Sequence, residues 1–154
     1  MLFGRRKRSI VRLLVVEDEP LVAFDTEHML TGQDYEIVGT VDRVSDALAM
    51  IARGEEIHLV LADVVLADGS GIDVARAARE RGIPVMFVTG NCPGEAEKIA
   101  AGCLSKPYTQ RDLLAAIAAI EDARDGRPPR RLPHGFRLFD TIRPPLEGGR
   151  FAAS

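Results

Sequence analysis

The chain predicts an α/β fold, a parallel sheet wound on both faces by helices. Three observations carry this. Residues 10–16 (IVRLLVV) and 59–62 (LVLA) are nearly continuous apolar runs, as strands buried on both faces are. Strand-like and helix-like patterns then alternate five times, which is the signature of strand–helix–strand crossovers of one hand. Several of the apolar runs also end on a carboxylate, a hydroxyl or a lysine, and in open α/β sheets chemistry gathers outside the carboxyl ends of the strands.

Residues 10–16 form the first strand and end on Glu17-Asp18-Glu19. Pro20 suits the first position of a helix, which runs to about Gly32 with Leu21, Phe24, His28 and Met29 near one face. A short strand follows at 36–41. Val44, Ala47, Leu48 and Ile51 recur at helical spacing before Gly54 stops the second helix. The central run 59–62 ends on Asp63, followed by the turn Asp68-Gly69-Ser70-Gly71 and a third helix over 72–81. That turn lacks the rest of any nucleotide-binding glycine pattern and reads as a tight turn. Residues 84–88 form a fourth strand ending at Thr89-Gly90, and 103–105 a short fifth one before Lys106-Pro107. The last helix starts at Thr109, with Asp112 three residues on as in a capping box and Leu113, Ile117 and Ile120 as its apolar stripe.

The 154 residues suffice for one ordinary domain with a core, and 46% hydrophobic against 28% charged residues is globular. No run is long enough to cross a bilayer. The basic and then apolar N-terminus is rejected as a signal peptide because Arg12 interrupts it, no small-residue cleavage site follows and Glu17-Asp18-Glu19 closes it. A cytoplasmic protein is expected. Cys92 and Cys103 fit reduced thiols that serve as packing or loop residues rather than redox partners, and with three scattered histidines they make no zinc site. The net charge of −3 is uneven: +5 over residues 1–12 and +4 over 124–154 leave −12 between them. Residues 1–9 read as a basic tail. Residues 124–154 read as a Pro- and Arg-rich tail, extended or disordered, with docking points at Phe136, Leu138, Phe139 and Ile142. By this reading residues 126–154 are dispensable for the fold.

The strand ends bring Glu17, Asp18, Asp63, Thr89 and Lys106 to one edge. Two carboxylates about 4 Å apart repel by about 4 kcal/mol at an effective dielectric near 20. A hard divalent cation such as Mg²⁺ removes that cost, and a lysine with a hydroxyl binds phosphoryl oxygens. The set reads as a phosphoryl-transfer site with an aspartate nucleophile. VVEDEP at 15–20, LVLADVVLADGSGIDVA at 59–75, VMFVTG at 85–90 and SKP at 105–107 stand in the order and at the spacing of one family. Over about residues 10–123 the chain resembles a response-regulator receiver domain of the CheY-like kind. The resemblance implies a doubly wound five-stranded sheet of order 2-1-3-4-5, with helices on both faces. It implies that Asp63 accepts a phosphoryl group from a histidine kinase or phosphotransfer protein. Asp18 would bind Mg²⁺ directly, Glu17 through water, and Val65 through its backbone carbonyl. Thr89 and Lys106 would engage the phosphoryl group, Pro107 would follow a cis bond, and Gly71 would be the turn glycine before the third helix.

The chain departs from the pattern in two places. Cys103 stands three residues before Lys106, where an aromatic switch residue is common, and the Thr89–Lys106 segment leaves room only for a shortened fourth helix. Both resemble a stand-alone subset whose strand ends in Phe-x-Thr-Gly, here Phe87-Val88-Thr89-Gly90, although Asn91 stands where an aromatic is frequent. The expected role is a stand-alone signalling module, not an enzyme, that works by protein–protein contact through an order–disorder switch in residues 90–102. The alternatives are a phosphate sink in a relay and a pseudo-receiver that binds partners without phosphorylation. An aspartyl-phosphate enzyme of the haloacid dehalogenase type would want a second Asp two residues after an early nucleophile, which Asp18-Glu19-Pro20 does not supply. The tail is too short and Pro-rich for a helix-turn-helix, so a DNA-binding regulator is not expected.

Overall fold

The computed structural model describes residues 8–128 and 130–142. The first seven residues of the basic N-terminal tail and residues 143–154 of the C-terminal one lie outside the described residues. The elements in order are β1 (Arg12–Val16), α1 (Pro20–Gly32), β2 (Glu36–Val41), α2 (Val44–Ala52), β3 (Leu59–Ala62), a hairpin of β4 (Val65–Leu66) and β5 (Gly69–Ser70), α3 (Gly71–Glu80), β6 (Val85–Thr89), α4 (Ala96–Ile99), β7 (Gly102–Ser105), α5 (Gln110–Arg124), β8 (Phe136–Leu138) and a 3-10 turn at Asp140–Ile142. Among the described residues no helix is long and apolar enough to cross a membrane.

The main sheet runs β2-β1-β3-β6-β7-β8. Its five parallel strands, counted in chain order, stand 2-1-3-4-5 as expected, and helices cover both faces. Alternate residues of each strand feed two separate cores. Leu14, Val16, Val60, Ala62, Val85 and Phe87 pack under α2, α3 and α4. Leu13, Val15, Leu59, Leu61, Met86, Val88 and Leu104 pack under α5, with Leu30 of α1. This explains the continuous apolar runs, because neither face of the central strands meets water.

Two expectations are corrected. The sheet has six strands, because β8 adds antiparallel to the outer edge of β7, with Gly102 opposite Leu138 and Leu104 opposite Phe136. An unpaired edge of backbone amides and carbonyls is a template for another strand. Residues 130–142 supply one together with two apolar anchors, Phe136 and Phe139, both buried. The α1 stripe is also turned: Ala23, Thr26 and Leu30 face inward, while Leu21 and Phe24 are 79% and 64% exposed. Phe24 stacks instead on the exposed ring of His28. The fourth helix is short, as expected, at four residues. Thr109 caps α5, its hydroxyl accepting the Asp112 N–H at 3.0 Å.

Candidate phosphoryl-acceptor site

Strand register assembles the site. Val16 of β1 pairs with Ala62 of β3, and the Asp63 N–H donates to the Val16 carbonyl at 3.0 Å, so Glu17 and Asp63 leave adjacent strands side by side. On the other flank Thr89 pairs with Ser105, and the Lys106 N–H donates to the Thr89 carbonyl at 2.8 Å. Both pairs leave the sheet at its carboxyl edge, where the backbone bonds stop and side chains become free to point at one volume.

Glu17, Asp18 and Asp63 converge there, one oxygen of each within 4.8 Å of the others. Lys106 balances part of that charge: its Nζ donates to Asp63 Oδ2 at 2.9 Å and to Glu17 Oε1 at 3.0 Å, with Glu19 Oε1 at 3.8 Å. Burial acts against the charged form of Lys106, yet its bonds to Asp63 and Glu17 outweigh this and hold the ammonium above its ordinary range. Burial also lifts the carboxyl of Glu17, opposed by Lys106 and by the Glu19 N–H, which donates to Glu17 Oε2 at 3.1 Å. Val65 is exposed, and its N–H reaches Asp63 Oδ1 at 3.3 Å. Thr89 is buried, and its hydroxyl accepts the Asn91 N–H at 3.4 Å. The Lys106-Pro107 bond is cis. Ser70 caps α3 by accepting the Ile72 N–H at 3.0 Å, and Gly71 donates to the Val64 carbonyl at 2.7 Å, which folds the turn back under Asp63.

Thus Glu17, Asp18, Asp63 and Lys106 stand together, with Thr89 on the strand end beside Lys106. Thr26 and Tyr108 are further neighbours of the site that no motif in the sequence marks. Their hydroxyls lie 3.5 Å apart, and both line a cavity of about 10 Å³ beneath Glu17 and Asp63. The one available signal was the place of Tyr108 directly after Lys106-Pro107; Thr26 gave none, because only the turn of α1 brings it there. Asp18 also faces a cleft of about 310 Å³ with Thr40, Asp42 and Asp46 along it. Three carboxylates with no soft ligand suit a hard, oxygen-seeking divalent cation, so the donor set fits Mg²⁺.

A family model for the response regulator receiver domain matches residues 13–118. The phyllosphere-induced regulator PhyR of Methylorubrum extorquens is 30% identical over 112 residues, 69% of this chain and 42% of the relative. The transcriptional regulatory protein PdtaR of Mycobacterium tuberculosis is 33% identical over 112 residues, 69% of this chain and 54% of that protein. The chain thus spans about half the length of these curated relatives. A CheY-like receiver domain protein from Methanospirillum hungatei superposes with a TM-score of 0.69 at 27% identity, over 77% of this chain and 98% of its own. With fold, strand order and the model match in agreement, the chain belongs to the response regulator receiver domain family.

Proposed function

We propose that Asp63 accepts a phosphoryl group from a phosphohistidine of a sensor kinase or phosphotransfer protein, and that the chain signals by the protein contacts which follow. The observation that carries this is the convergence of Glu17, Asp18 and Asp63 within 4.8 Å with the Lys106 ammonium bonded to two of them. In the transfer an Asp63 carboxylate oxygen attacks phosphorus, the P–O bond forms and the P–N bond to the donor imidazole breaks. Lys106, already 2.9 Å from Asp63, shifts its hydrogen bonds to the incoming phosphoryl oxygens. Thr89 turns its hydroxyl from Asn91 to the same group. Glu17, Asp18, Asp63 and the Val65 carbonyl would hold Mg²⁺, which when bound neutralises the charge gathering on those oxygens. The donor approaches beside α1, which begins two residues after Asp18 and leaves Leu21 and Phe24 bare for contact.

The test is labelling by acetyl phosphate in the presence of Mg²⁺. Wild type should incorporate phosphate, Asp63→Asn should not, and EDTA should abolish the reaction. Undiminished labelling of Asp63→Asn, or a rate indifferent to EDTA, would refute the assignment.

A further inference from the structure

Residues 130–142 fasten the segment that joins β6 to β7 at the end away from Thr89. The Phe139 N–H donates to the Ala101 carbonyl at 2.8 Å, and the Thr141 hydroxyl donates to the Ala100 carbonyl. On β7 the Ser105 N–H, one residue before Lys106, donates to the Gly135 carbonyl at 2.9 Å. The side chains of this strap alternate between two seats. Phe136 is buried in the core under α5, with Leu138 packed against that core. Phe139 is buried in the core under α2, α3 and α4, and Arg137 between them is exposed. Without the strap, β7 would be an open edge whose N–H and C=O groups can pair with an extended chain.

We propose that the β7 edge is a docking site for an extended segment of a partner protein, which the strap closes and a phosphoryl group at Asp63 opens. This rests on the reading of Asp63 as phosphoacceptor. The opposition follows from the ties. The Thr89 hydroxyl is held by the Asn91 N–H, so reaching a phosphoryl group draws residues 90–91 with it. The strap pins the other end of the same segment, Ala100 and Ala101, in its present position. Lys106, which turns to the phosphoryl oxygens, follows directly on Ser105, the strap's tie on β7. Movement at either end therefore loosens the strap, and by reciprocity a loosened strap eases phosphoryl binding.

The seat defines its occupant. Strand addition supplies affinity through backbone hydrogen bonds and specificity through pockets for alternate side chains. Gly102, opposite Leu138, leaves the Phe136 ring room against the backbone, where an added Cβ would meet it at 2.7 Å. The segment that fits runs antiparallel to β7 and reads aromatic, polar, aliphatic, aromatic, as Phe136-Arg137-Leu138-Phe139 does. The strap competes as a tethered ligand, which keeps the edge closed until its ties are weakened.

The experiment uses the full chain, beryllofluoride with Mg²⁺ as the phosphoryl mimic, and a fluorescein-labelled peptide of residues 130–142 as the strand probe. Hydrogen exchange at the Ser105 and Phe139 amides, without peptide, reads the strap, and fluorescence anisotropy with the peptide reads the edge. Expected are faster exchange at both amides on loading and peptide binding tightened about fivefold or more. Phe139→Ala should bind the peptide without beryllofluoride. Because that variant hollows the core, Gly135→Ala is the second: with φ at 79° it strains only the turn into β8. Beryllofluoride bound with both amides unchanged would overturn the coupling. A peptide that binds neither the loaded chain nor the two variants would overturn the docking site. A loaded chain that excludes the peptide by pairing with a second copy would overturn the partner. A chain that binds no beryllofluoride would instead overturn the phosphoacceptor reading, and the two variants would still decide the edge.

Discussion

At Gly71 one added carbon is enough to disturb the site. A Cβ there would lie 2.1 Å from the Asp63 carbonyl oxygen and 3.2 Å from the Val64 Cα, both of them backbone atoms with no room to give. The glycine is present because α3 must start directly beneath the strand end that carries Asp63. Overpacking of this sort typically costs about 1–3 kcal/mol, and here the strain falls on the residue proposed to react. Gly71→Ala should therefore lower the melting temperature and slow labelling by acetyl phosphate together. Full-rate labelling by a destabilised variant would show that Asp63 tolerates the shift. Gly102 repeats the logic on β7, where a Cβ would meet the Phe136 ring at 2.7 Å and the Arg137 carbonyl at 2.8 Å.

Among the elements, the C-terminal strap changes the picture most. Phe136 joins the core under α5, and Phe139 joins the opposite one, so a short segment closes both faces at the β7 edge. Its backbone is stitched in by Ser105 N–H to the Gly135 carbonyl at 2.9 Å and Phe139 N–H to the Ala101 carbonyl at 2.8 Å. The Thr141 hydroxyl adds a bond to the Ala100 carbonyl. Burying one such phenyl ring is worth about 1.5–3 kcal/mol. With two such rings buried, about 3–6 kcal/mol in all, truncation at Gly126 should lower the melting temperature by roughly 6–24 °C at about 2–4 °C per kcal/mol for a chain of this size. An unchanged melting curve would return the segment to the status of a loose tail.

The strap is anchored at its root by Asp122, which accepts from Arg130 Nε at 2.5 Å and from Arg127 Nε at 3.0 Å. Burial disfavours the charge on Asp122, but these two hydrogen bonds prevail and hold its carboxyl below the usual range. A carboxyl depressed in the folded state stabilises fully above its unfolded pKa and loses that contribution as pH falls through the folded value. Asp122→Asn should cost about 1–3 kcal/mol near neutrality. The gap to wild type should start to close as pH falls to about 4, the ordinary value of an aspartate, and go on closing as pH passes through the lower folded value. A gap independent of pH over that range would mean that charge is not what anchors the strap.

For the whole molecule, the site edge and the distal edge of the sheet are joined through one short segment. Residues 90–102 are held to α3 by Arg76–Glu95 at 3.1 Å and by Arg79 Nη1 on the Lys98 carbonyl at 2.8 Å, both of them exposed. Its buried side chains are the small Ala96, Ala100 and Ala101, and Cys92 and Ile99 are only partly buried against the core under α3 and α4. A segment held by such small or half-buried side chains opens at low cost. A new hydrogen bond from Thr89 to a charged group, worth about 1.5–3 kcal/mol, is of the size needed to rearrange it. Beryllofluoride with Mg²⁺ at about one hundred times its dissociation constant should stabilise the fold by about 2.7 kcal/mol. Hydrogen-exchange protection should change in residues 90–102. Protection that changes only in distant segments would place the switch elsewhere.

Read as a string, the chain determined its layers and the residues that gather at the ends of its strands. Continuous apolar runs dictate strands buried on both faces, their alternation with helical periods dictates the parallel sheet, and Asp18, Asp63, Thr89 and Lys106 declare themselves because each stands where such a run stops. These signals are local, and each is a few adjacent residues long. Only the tertiary structure decided the sixth strand and the outward turn of Leu21 and Phe24. For β8 the decisive factor is the free edge of β7, which no property of residues 136–138 by themselves reveals. For α1 it is which three of its residues the sheet accepts, Ala23, Thr26 and Leu30, with Phe24 left outside. In each case the deciding partner is distant in sequence, and composition says nothing of its distance in space.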